Sequence, residues 1–314
     1  MKYFAGIDGG GTKTKCVCVN EKLKIISQAE TGSTNPHTIG FDQSAENLIN
    51  LINQSCLKAN IKVIDSVVIG IAGGGRAEHA DKLFKSIIDL AGSTTVLWKR
   101  LKILSDAEIA LEGAFSGRTG FILIVGTGSI IFGKNKSGNI IRAGGFGKVI
   151  GDEGSGYSIG RKGLNAVARE FDGRGKKTLL TQILNKKYKI ANQHNLITKV
   201  YSGEFDIAGV AESVIKAAEE NDLVCNKILQ TEIEELLFHI KTITRKTDEK
   251  KINLCLGGGL LLSKNLYSVL LKKKIKETFE NLVLRKADYL PEIGAVLLAK
   301  KYLKLNKTFE KNDN

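Results

Sequence analysis

The chain opens with an apolar run over residues 3–7, which ends in an aspartate, passes three glycines and a threonine, and continues as an alternating segment. The alternation has a period of two and places Thr14, Cys16 and Cys18 on one face of a strand. Another strand-like stretch, 23–29, follows closely. These patterns predict a three-stranded β-meander whose first turn is rich in glycine.

The rest of the first 115 residues alternates apolar positions at helical spacing with short buried strands. Pro36 marks a loop in this pattern, because a proline pushes the residue before it out of helical space. The helices are predicted over 42–59, 77–91 and 107–115, the strands over 66–72 and 101–104, and a glycine loop over 73–75. The predicted order is therefore β-β-β-α-β-α-β-α.

The opening pattern then occurs a second time: a strand over 120–125, a glycine–hydroxyl turn at 126–129, and a strand over 130–134. Later helices are predicted over 154–170, 176–186, 205–220 and 222–245, from 263, and over 291–305, with a strand over 252–256. The duplication predicts a two-lobed α/β fold with a nucleotide cleft. We place the N-terminal lobe at 1–117 and the C-terminal lobe at 118–314, with the final helix free to pack back on the N-terminal lobe.

The composition is ordinary for a globular protein, with 42% hydrophobic and 25% charged residues, so the chain can bury substantial cores. A net charge of +14 at pH 7 raises the question of nucleic acid binding. The lysines are scattered, however, and few aromatic residues lie among them to stack on bases. We therefore expect anionic small-molecule substrates rather than nucleic acid.

The five cysteines form no C-x-x-C pair and have no metal-ligand spacing. Such a scattered, odd set indicates reduced thiols and a cytoplasmic protein. No stretch approaches the roughly 18 apolar residues of a membrane span. Asp8 also interrupts what could have been the apolar core of a signal peptide. We therefore expect no membrane partner.

The glycine-rich turn from Asp8 to Lys13 has the chemistry of a phosphate loop. Consecutive glycines let the backbone approach a bulky anion, because no Cβ stands in the way. Their N–H groups and the Thr12 hydroxyl can hold phosphate oxygens, and Asp8 can hold a hydrated Mg²⁺. A plain β-hairpin turn is the alternative. The second glycine turn favours the phosphate loop, since a nucleotide between two lobes needs one turn from each.

Two common motifs are not supported. Residues 128–135 come close to a Walker A loop, but they lack its final Ser or Thr and lead into a turn instead of a helix. No G-x-G-x-x-G pattern occurs, which leaves a Rossmann dinucleotide site without its fingerprint.

Several residues have both a structural and a functional interpretation. Asp106 ends a buried strand and opens a helix, where it could cap the helix or face a ligand at the carboxyl edge of the sheet. Asp152 and Glu153 could be first-turn acids, although the glycines around them favour a tightly shaped ligand loop. Asn35 could form an Asx turn or donate to a sugar hydroxyl. The glycines at 257–259 could form a turn or a flat face for adenine.

Seven segments occur in a characteristic order: Asp8–Lys13, Ser105–Ala107, Gly126–Ser129, Gly144–Gly147, Gly151–Ser155, Gly257–Gly259 and Pro291–Ala295. Together they resemble the actin/Hsp70/sugar-kinase superfamily, specifically the N-acetylglucosamine kinase branch of the BadF/BadG/BcrA/BcrD-type ATPases. The resemblance runs from residue 3 to about residue 300. It implies the two-lobed, ribonuclease H-like fold of actin-type ATPases.

The resemblance also implies roles for individual residues. Asp106 corresponds to the catalytic base, and Asp8 to the residue that holds Mg²⁺ through water. The ATP-binding residues would be Asp8, Gly9, Gly10, Gly11, Thr12, Lys13, Gly126, Thr127, Gly128, Ala208, Gly257, Gly258 and Gly259. The sugar-binding residues would be Asn35, Asp106, Ser129, Ile130, Gly145, Phe146, Gly147 and Asp152. Mammalian members have Trp where Phe146 stands, so the stacking face for the sugar is smaller here.

The function implied is ATP-dependent phosphorylation of the 6-hydroxyl of N-acetylglucosamine, and also of N-acetylmuramic acid, by a homodimer. Glucosamine is a further candidate substrate. A second class of function is an ATPase activator of a dehydratase, which holds an iron–sulfur cluster through cysteines at a dimer interface. Cys16 and Cys18 lie within a strand instead, so the ligands for such a cluster are lacking. A nucleotide sensor without turnover is the third possibility, and the presence of Asp106 argues against it.

Overall fold

A computed structural model of the chain describes residues 1–71, 77–90, 92, 94–135, 137–247 and 250–309. The predicted glycine loop at 73–75 lies outside the described residues. The chain divides into two compact units. The first contains Met1–Arg118 together with the chain from Lys286 onward, and the second contains Thr119–Arg285.

The first unit begins with three strands and then alternates helices and strands. Its strands are β1 (Tyr3–Gly9), β2 (Thr14–Asn20), β3 (Ile25–Thr31), β4 (Val63–Ile64), β5 (Ser66–Ile71), β6 (Leu97–Trp98) and β7 (Leu101–Ser105). Its first four helices are α1 (Pro36–Ile39), α2 (Phe41–Lys58), α3 (Ala77–Asp89) and α4 (Asp106–Phe115).

The second unit repeats the opening meander and then adds a group of helices. Its strands are β8 (Gly120–Val125), β9 (Ser129–Lys134), β10 (Ile140–Gly144), β11 (Ile252–Gly257) and β12 (Leu282–Arg285). Its helices are α5 (Gly156–Phe171), α6 (Leu179–Tyr188), α7 (Gln193–Val200), α8 (Val210–Glu219), α9 (Leu223–Thr244), α10 (Gly259–Leu262) and α11 (Leu266–Thr278). The final helix of the chain, α12 (Pro291–Phe309), belongs to the first unit.

The main sheets of the two units have the same topology. The strand order is β3-β2-β1-β5-β7 in the first unit and β10-β9-β8-β11-β12 in the second. In each, the first strand is antiparallel to its hairpin partner and parallel to the strand on its other side. The predicted α/β fold with a duplicated β-meander is therefore confirmed.

Both faces of the first sheet are covered. On β2, the predicted face of Thr14, Cys16 and Cys18 is fully buried, and the two cysteines pack in one core with residues of α2 and α3. The opposite face, which includes Val17, packs against α12. Helix α12 reaches the sheet because Gly6 on β1 has no side chain: a Cβ there would collide with the main chain of α12. The predicted second lobe, 118–314, left the final helix free to pack back on the first lobe, and α12 does pack within the first unit.

The sequence pattern predicted none of β4, β6 and β10, and two further strands show where it was insufficient. Strand β3 starts at Ile25, two residues later than predicted, because the side chain of Asn20 accepts N–H bonds from Lys22 and Lys24 and Leu23 takes a positive φ of 62°. Strand β12 was not predicted. All four of its residues are half-buried, so it has no alternation to detect.

None of the helices in the described part of the chain combines the length and the apolar composition that crossing a bilayer requires.

Candidate active site

The carboxyl ends of the parallel strands in the first unit bring two predicted carboxylates to one sheet edge. Asp8 on β1 pairs with Gly70 on β5, and Gly70 pairs with Leu104 on β7. Asp106 follows directly after β7 as the first residue of α4. Since neighbouring strands lie about 4.8 Å apart, Asp8 and the end of β7 are separated by about 10 Å across the sheet.

Asp8 is crowded by other acids. Its carboxyl pKa is raised to about 6, first by burial and then by the negative charges of Glu292 and Asp106, while Lys15 acts in the opposite direction. Glu292 lies in the first turn of α12 and is only 6% exposed. Its Oε1 is 3.9 Å from the Lys15 Nζ. The sequence analysis listed the Pro291–Ala295 segment without giving Glu292 a role beside Asp8.

Asp106 is not the helix cap. Ser105 takes that position: its Oγ accepts a hydrogen bond from the Glu108 N–H at 3.2 Å, and Glu108 Oε2 accepts one from the Ser105 N–H at 2.9 Å. The alternative interpretation of Asp106 as an N-cap is therefore wrong. Its side chain accepts a bond from the N–H of Ala107 and remains exposed to solvent. The protein around it nevertheless raises its carboxyl pKa above the ordinary value.

The first glycine loop is fixed by the segment that follows β3. The Thr34 N–H donates to the Gly10 carbonyl at 3.2 Å, and the Thr34 hydroxyl lies 2.8 Å from that of Thr14. Asn35 caps α1, with Oδ1 accepting from the His37 N–H at 3.0 Å. Its Nδ2 faces Gly11 and donates no hydrogen bond within the described part of the chain. The structure thus brings predicted sugar-binding and phosphate-binding residues of the first unit together.

The second glycine loop is attached to the start of α5. Gly126 donates its N–H to the Gly128 carbonyl at 2.9 Å. The first N–H groups of α5, those of Gly156 and Tyr157, donate to the carbonyls of Gly126 and Thr127 at 2.8 and 3.2 Å. The loop is therefore shaped by backbone contacts and leaves the Thr127 side chain exposed.

One cavity of about 650 Å³ joins the second glycine loop to the predicted adenosine residues. Gly126 and Thr127 line it together with Ala208 and Gly259. Its volume falls in the range of small-molecule sites, about 300–1,000 Å³. The other two predicted glycines do not line it: Gly257 ends β11, and a Cβ on Gly258 would collide with the main chain of β8.

The cavity also has a polar wall that the sequence analysis missed. It includes Glu212, Lys216 and Glu219, which succeed one another on α8 at spacings of four and three residues. Such spacing places side chains on one face of a helix, so it was a detectable signal. Ser263 and Asn265, between α10 and α11, complete this wall.

The predicted sugar-binding residues of the second unit also converge. Asp152 has a positive φ of 59°, and its Oδ1 accepts a hydrogen bond from the Gly147 N–H at 3.2 Å. Its Oδ2 lies against Gly128, where a Cβ would approach within 2.8 Å. Ile130 packs against Gly145 in the same way. Ser129 is used structurally, since it is buried and its hydroxyl donates to the Glu153 carbonyl at 2.6 Å.

Phe146 leaves an aromatic face open beside these residues. Its side chain is 63% exposed, and the guanidinium of Arg142 lies 5.6 Å from the ring centroid. An exposed ring that carries a cation on one side offers both apolar contact and positive charge to a ligand.

A buried carboxylate anchors the loop that carries Asp152. Glu232 on α9 is fully buried and accepts hydrogen bonds from the Gly154 N–H at 2.5 Å and the Ser158 hydroxyl at 2.9 Å. Lys162 on α5 forms an ion pair with it at 2.5 Å. The Tyr267 hydroxyl donates to the Gly154 carbonyl at 2.8 Å. Sequence reasoning missed these contacts, because Glu232 lies about 80 residues from the loop it holds.

Residues 156–160 fit a G-x-S-x-G pattern, but they lie in α5 and the Ser158 hydroxyl is committed to Glu232, so they do not form a nucleophile elbow. All five cysteines lie in the described part of the chain, where they are buried and form no disulfide.

Comparison with known proteins adds the family. Residues 5–299 match the model of the BadF/BadG/BcrA/BcrD ATPase family. The chain belongs to this family. As a BadF/BadG/BcrA/BcrD ATPase, it has two curated relatives that match over nearly their full length. An N-acetylmuramic acid/N-acetylglucosamine kinase of Clostridium acetobutylicum is 33% identical, over 96% of this chain and 99% of its own. An N-acetyl-D-glucosamine kinase of Dictyostelium discoideum is 31% identical, over 95% and 98%.

A solved structure from Chromobacterium violaceum, described as a candidate N-acetylglucosamine kinase, has the same fold. The TM-score is 0.72 at 22% identity, over 95% of this chain and 99% of that one. At 22% identity, this similarity shows that the two chains share a fold and nothing more.

Proposed function

We propose that this BadF/BadG/BcrA/BcrD ATPase is an amino-sugar kinase that transfers the γ-phosphoryl group of ATP to the 6-hydroxyl of N-acetylglucosamine and of N-acetylmuramic acid. The observation that carries the proposal is the 650 Å³ cavity, where the second glycine loop meets Ala208 and Gly259. The two kinases that resemble the chain over nearly its whole length support the choice of sugar.

The nucleotide would be held mainly by backbone groups. In the second unit, the cavity offers Ala208 and Gly259 as small residues against a flat base, and Gly126 and Thr127 for phosphate oxygens. In the first unit, the loop Gly9–Lys13 offers N–H groups and the Thr12 hydroxyl, while the Lys13 ammonium pairs with Glu30 at 2.5 Å. Backbone N–H groups in glycine loops are well suited to anions because they approach closely and carry no competing charge.

The first unit also fits a divalent cation held largely through water. Burial and then the carboxylates of Glu292 and Asp106 raise the pKa of Asp8, and a bound Mg²⁺ would relieve the repulsion among these carboxylates. Within the described residues, no three His, Cys, Asp or Glu side chains form a metal cage. Mg²⁺ usually keeps several waters and binds through one or two carboxylates and the substrate phosphates. When bound, it would neutralise charge that develops on the transferring phosphoryl group.

Asp106 would act as the proton acceptor. It keeps an exposed carboxylate at the sheet edge, and it is not used to cap its helix. In phosphoryl transfer the transition state is loose, so an acidic base of this kind mainly orients the attacking hydroxyl and accepts its proton late. The raised pKa of Asp106 makes it a better proton acceptor than an ordinary aspartate.

Each unit by itself contains candidate groups for recognising the sugar. Asn35 has an Nδ2 donor without a partner in the described chain, and Asp152 presents a carboxylate in a fixed orientation. The exposed Phe146 ring provides an apolar face. Arg142 beside that ring provides a positive charge, which suits the lactyl carboxylate of N-acetylmuramic acid.

A coupled ADP-release assay across free amino sugars tests the proposal. N-acetylglucosamine and N-acetylmuramic acid should both be phosphorylated, with glucose and glucosamine poorer by at least tenfold, since unpaired hydrogen-bonding groups are costly. If Arg142 attracts the lactyl carboxylate, kcat/KM for N-acetylmuramic acid should fall more with added salt than that for N-acetylglucosamine. Activity on neither acetylated sugar would contradict the proposal.

The first glycine loop can be tested by one substitution that the fold tolerates. At Gly11, the nearest atom to an added Cβ is Asn35 Nδ2 at 3.9 Å, so Gly11→Val should leave the melting temperature unchanged. It should weaken ATP binding at least tenfold, because the new side chain occupies phosphate space. Calorimetric titration with ATP measures this. Gly32→Val, where a Cβ meets nothing within 4 Å, is the matched control. Equal ATP affinities of the two variants would favour the plain-turn interpretation.

The raised pKa of Asp8 predicts a pH dependence. Its carboxylate takes up a proton as the pH falls through about 6, so activity that depends on Mg²⁺ should decline below that pH. Glu292→Gln removes a negative charge and lowers the pKa of Asp8, so the acid limb of kcat/KM should move to lower pH. Higher Mg²⁺ concentrations should shift the limb in the same direction. If neither change moves the acid limb of kcat/KM, a group other than Asp8 is responsible for that limb.

The proposal includes a cytoplasmic homodimer with ATP and an amino sugar as its partners. The five buried cysteines form no disulfide in the described part of the chain, which supports a reducing compartment. Light scattering on the protein as it elutes from a size-exclusion column measures its mass and so tests the oligomeric state.

A further inference from the structure

A second cavity, of about 730 Å³, lies in the second unit between α5, the loop that follows α5, and the first turns of α9. It contains none of the residues predicted for ATP or sugar. Among the residues that the structure describes, six cations and no acid line it: Arg161, Lys162, Arg169, Arg174, Lys176 and Lys227. We call it the basic cavity.

Within the described part of the chain, the nearby carboxylates form ion pairs with only two of the six cations of the basic cavity. Asp172 pairs with Arg174 at 2.6 Å, and the buried Glu232 pairs with Lys162. Glu170 accepts hydrogen bonds from the Thr178 N–H and the Thr181 hydroxyl, and Asp222 caps α9. The remaining four cations, Arg161, Arg169, Lys176 and Lys227, have no ion pair within 4 Å in the described part of the chain.

The four unpaired cations and the shape of the cavity indicate the class of ligand. Guanidinium groups match the oxygens of phosphate in a two-pronged geometry, and lysines add point charges. Apolar side chains also line the cavity, among them Ala166, Val224 and the 78% exposed Leu223. A ligand that suits both kinds of side chain carries at least two negative charges together with a less polar part.

We propose that the basic cavity binds a small phosphate ester at a site separate from the nucleotide cavity. Sugar phosphates and nucleoside monophosphates share this chemistry. Lys162 connects this cavity to the sugar-binding loop, because the residue lines the cavity and its ammonium pairs with Glu232, which holds Gly154 in the loop of Asp152. The Lys162–Glu232 ion pair therefore connects a phosphate bound in this cavity to the predicted sugar-binding loop.

Calorimetric titration tests this proposal without any assay of turnover, so its outcome is separate from that of the kinase proposal. The probes are N-acetylglucosamine 6-phosphate and AMP, titrated at fixed ionic strength into the full chain. The variants are Arg169→Gln and Lys227→Gln, both exposed positions of the cavity. Lys241→Gln is the matched control, since it removes one exposed lysine from the same helix as Lys227 but outside the cavity.

One probe should bind the native protein, and each cavity variant should weaken that binding about tenfold, since a hydrogen bond to a charged group is lost. The control should change it less than twofold. The probe that shows this pattern identifies the source of the phosphate. Two independent cavity positions keep the test decisive if one variant folds poorly. Equal affinities in all four proteins would overturn the proposal. Citrate is titrated as an anion without phosphate, and tighter binding of citrate than of either phosphate ester would overturn it as well.

Discussion

Replacing Asp106 by asparagine should lower kcat about a thousandfold, the scale of a positioned general base, and leave the affinities for ATP and sugar nearly unchanged. The amide keeps the shape of the side chain but cannot accept the proton of the sugar hydroxyl. The melting temperature should not fall, because α4 is capped by Ser105 and Glu108 and not by Asp106. Single-turnover kinetics, together with separate binding titrations, measure this split.

Ser105→Ala is the control, and it should lower stability while leaving kcat nearly unchanged. It removes the hydroxyl that accepts the Glu108 N–H, which should cost about 1 kcal/mol of stability while kcat stays within a few fold. Asp106→Asn and Ser105→Ala thus affect different measurements at adjacent positions. Substantial turnover in Asp106→Asn would remove Asp106 from the proposed chemistry.

Replacing Asp152 by asparagine should lower kcat/KM for N-acetylglucosamine about a hundredfold, because a hydrogen bond to a charged group is worth roughly 2–3 kcal/mol. The effect should appear in the KM for the sugar and not in ATP affinity. Asparagine is the suitable substitute because it tolerates the positive φ of 59° and retains an oxygen for the Gly147 N–H.

The adjacent Glu153→Gln is the matched control. Glu153 pairs with His239 at 3.5 Å, and the contact it offers Ser129 comes from its backbone carbonyl, which the substitution preserves. Its sugar kinetics should stay within a few fold of the native protein. Equal losses in the two variants would mean that the loop as a whole had moved and that Asp152 has no particular role in binding the sugar.

The sequence by itself determined the repeated architecture. Alternation and glycine turns are local signals, and they occur twice in the same order, so the duplicated meander could be predicted before the two sheets were seen. The positions of the two glycine loops and of Asp106 at a strand end followed from the same local patterns. Strand β12, with four half-buried residues, had no such pattern and was missed.

Only the tertiary structure decided which of several similar residues has which role. Ser105 and Asp106 both suit a helix start, and the hydrogen bonds of Glu108 select Ser105 as the cap. Gly258 and Gly259 are identical in sequence terms, yet Gly258 packs against β8 and Gly259 lines the cavity.

The same applies to contacts between distant segments. Glu292 reaches Asp8 because α12 returns to the first sheet, and Glu232 holds Gly154 from another helix. The physical reason is that periodicity reports which face of an element is buried, but not which other element covers it. Burial, charge repulsion and long-range hydrogen bonds depend on which element covers that face. They decide the chemistry of Asp8 and the placement of Asp152.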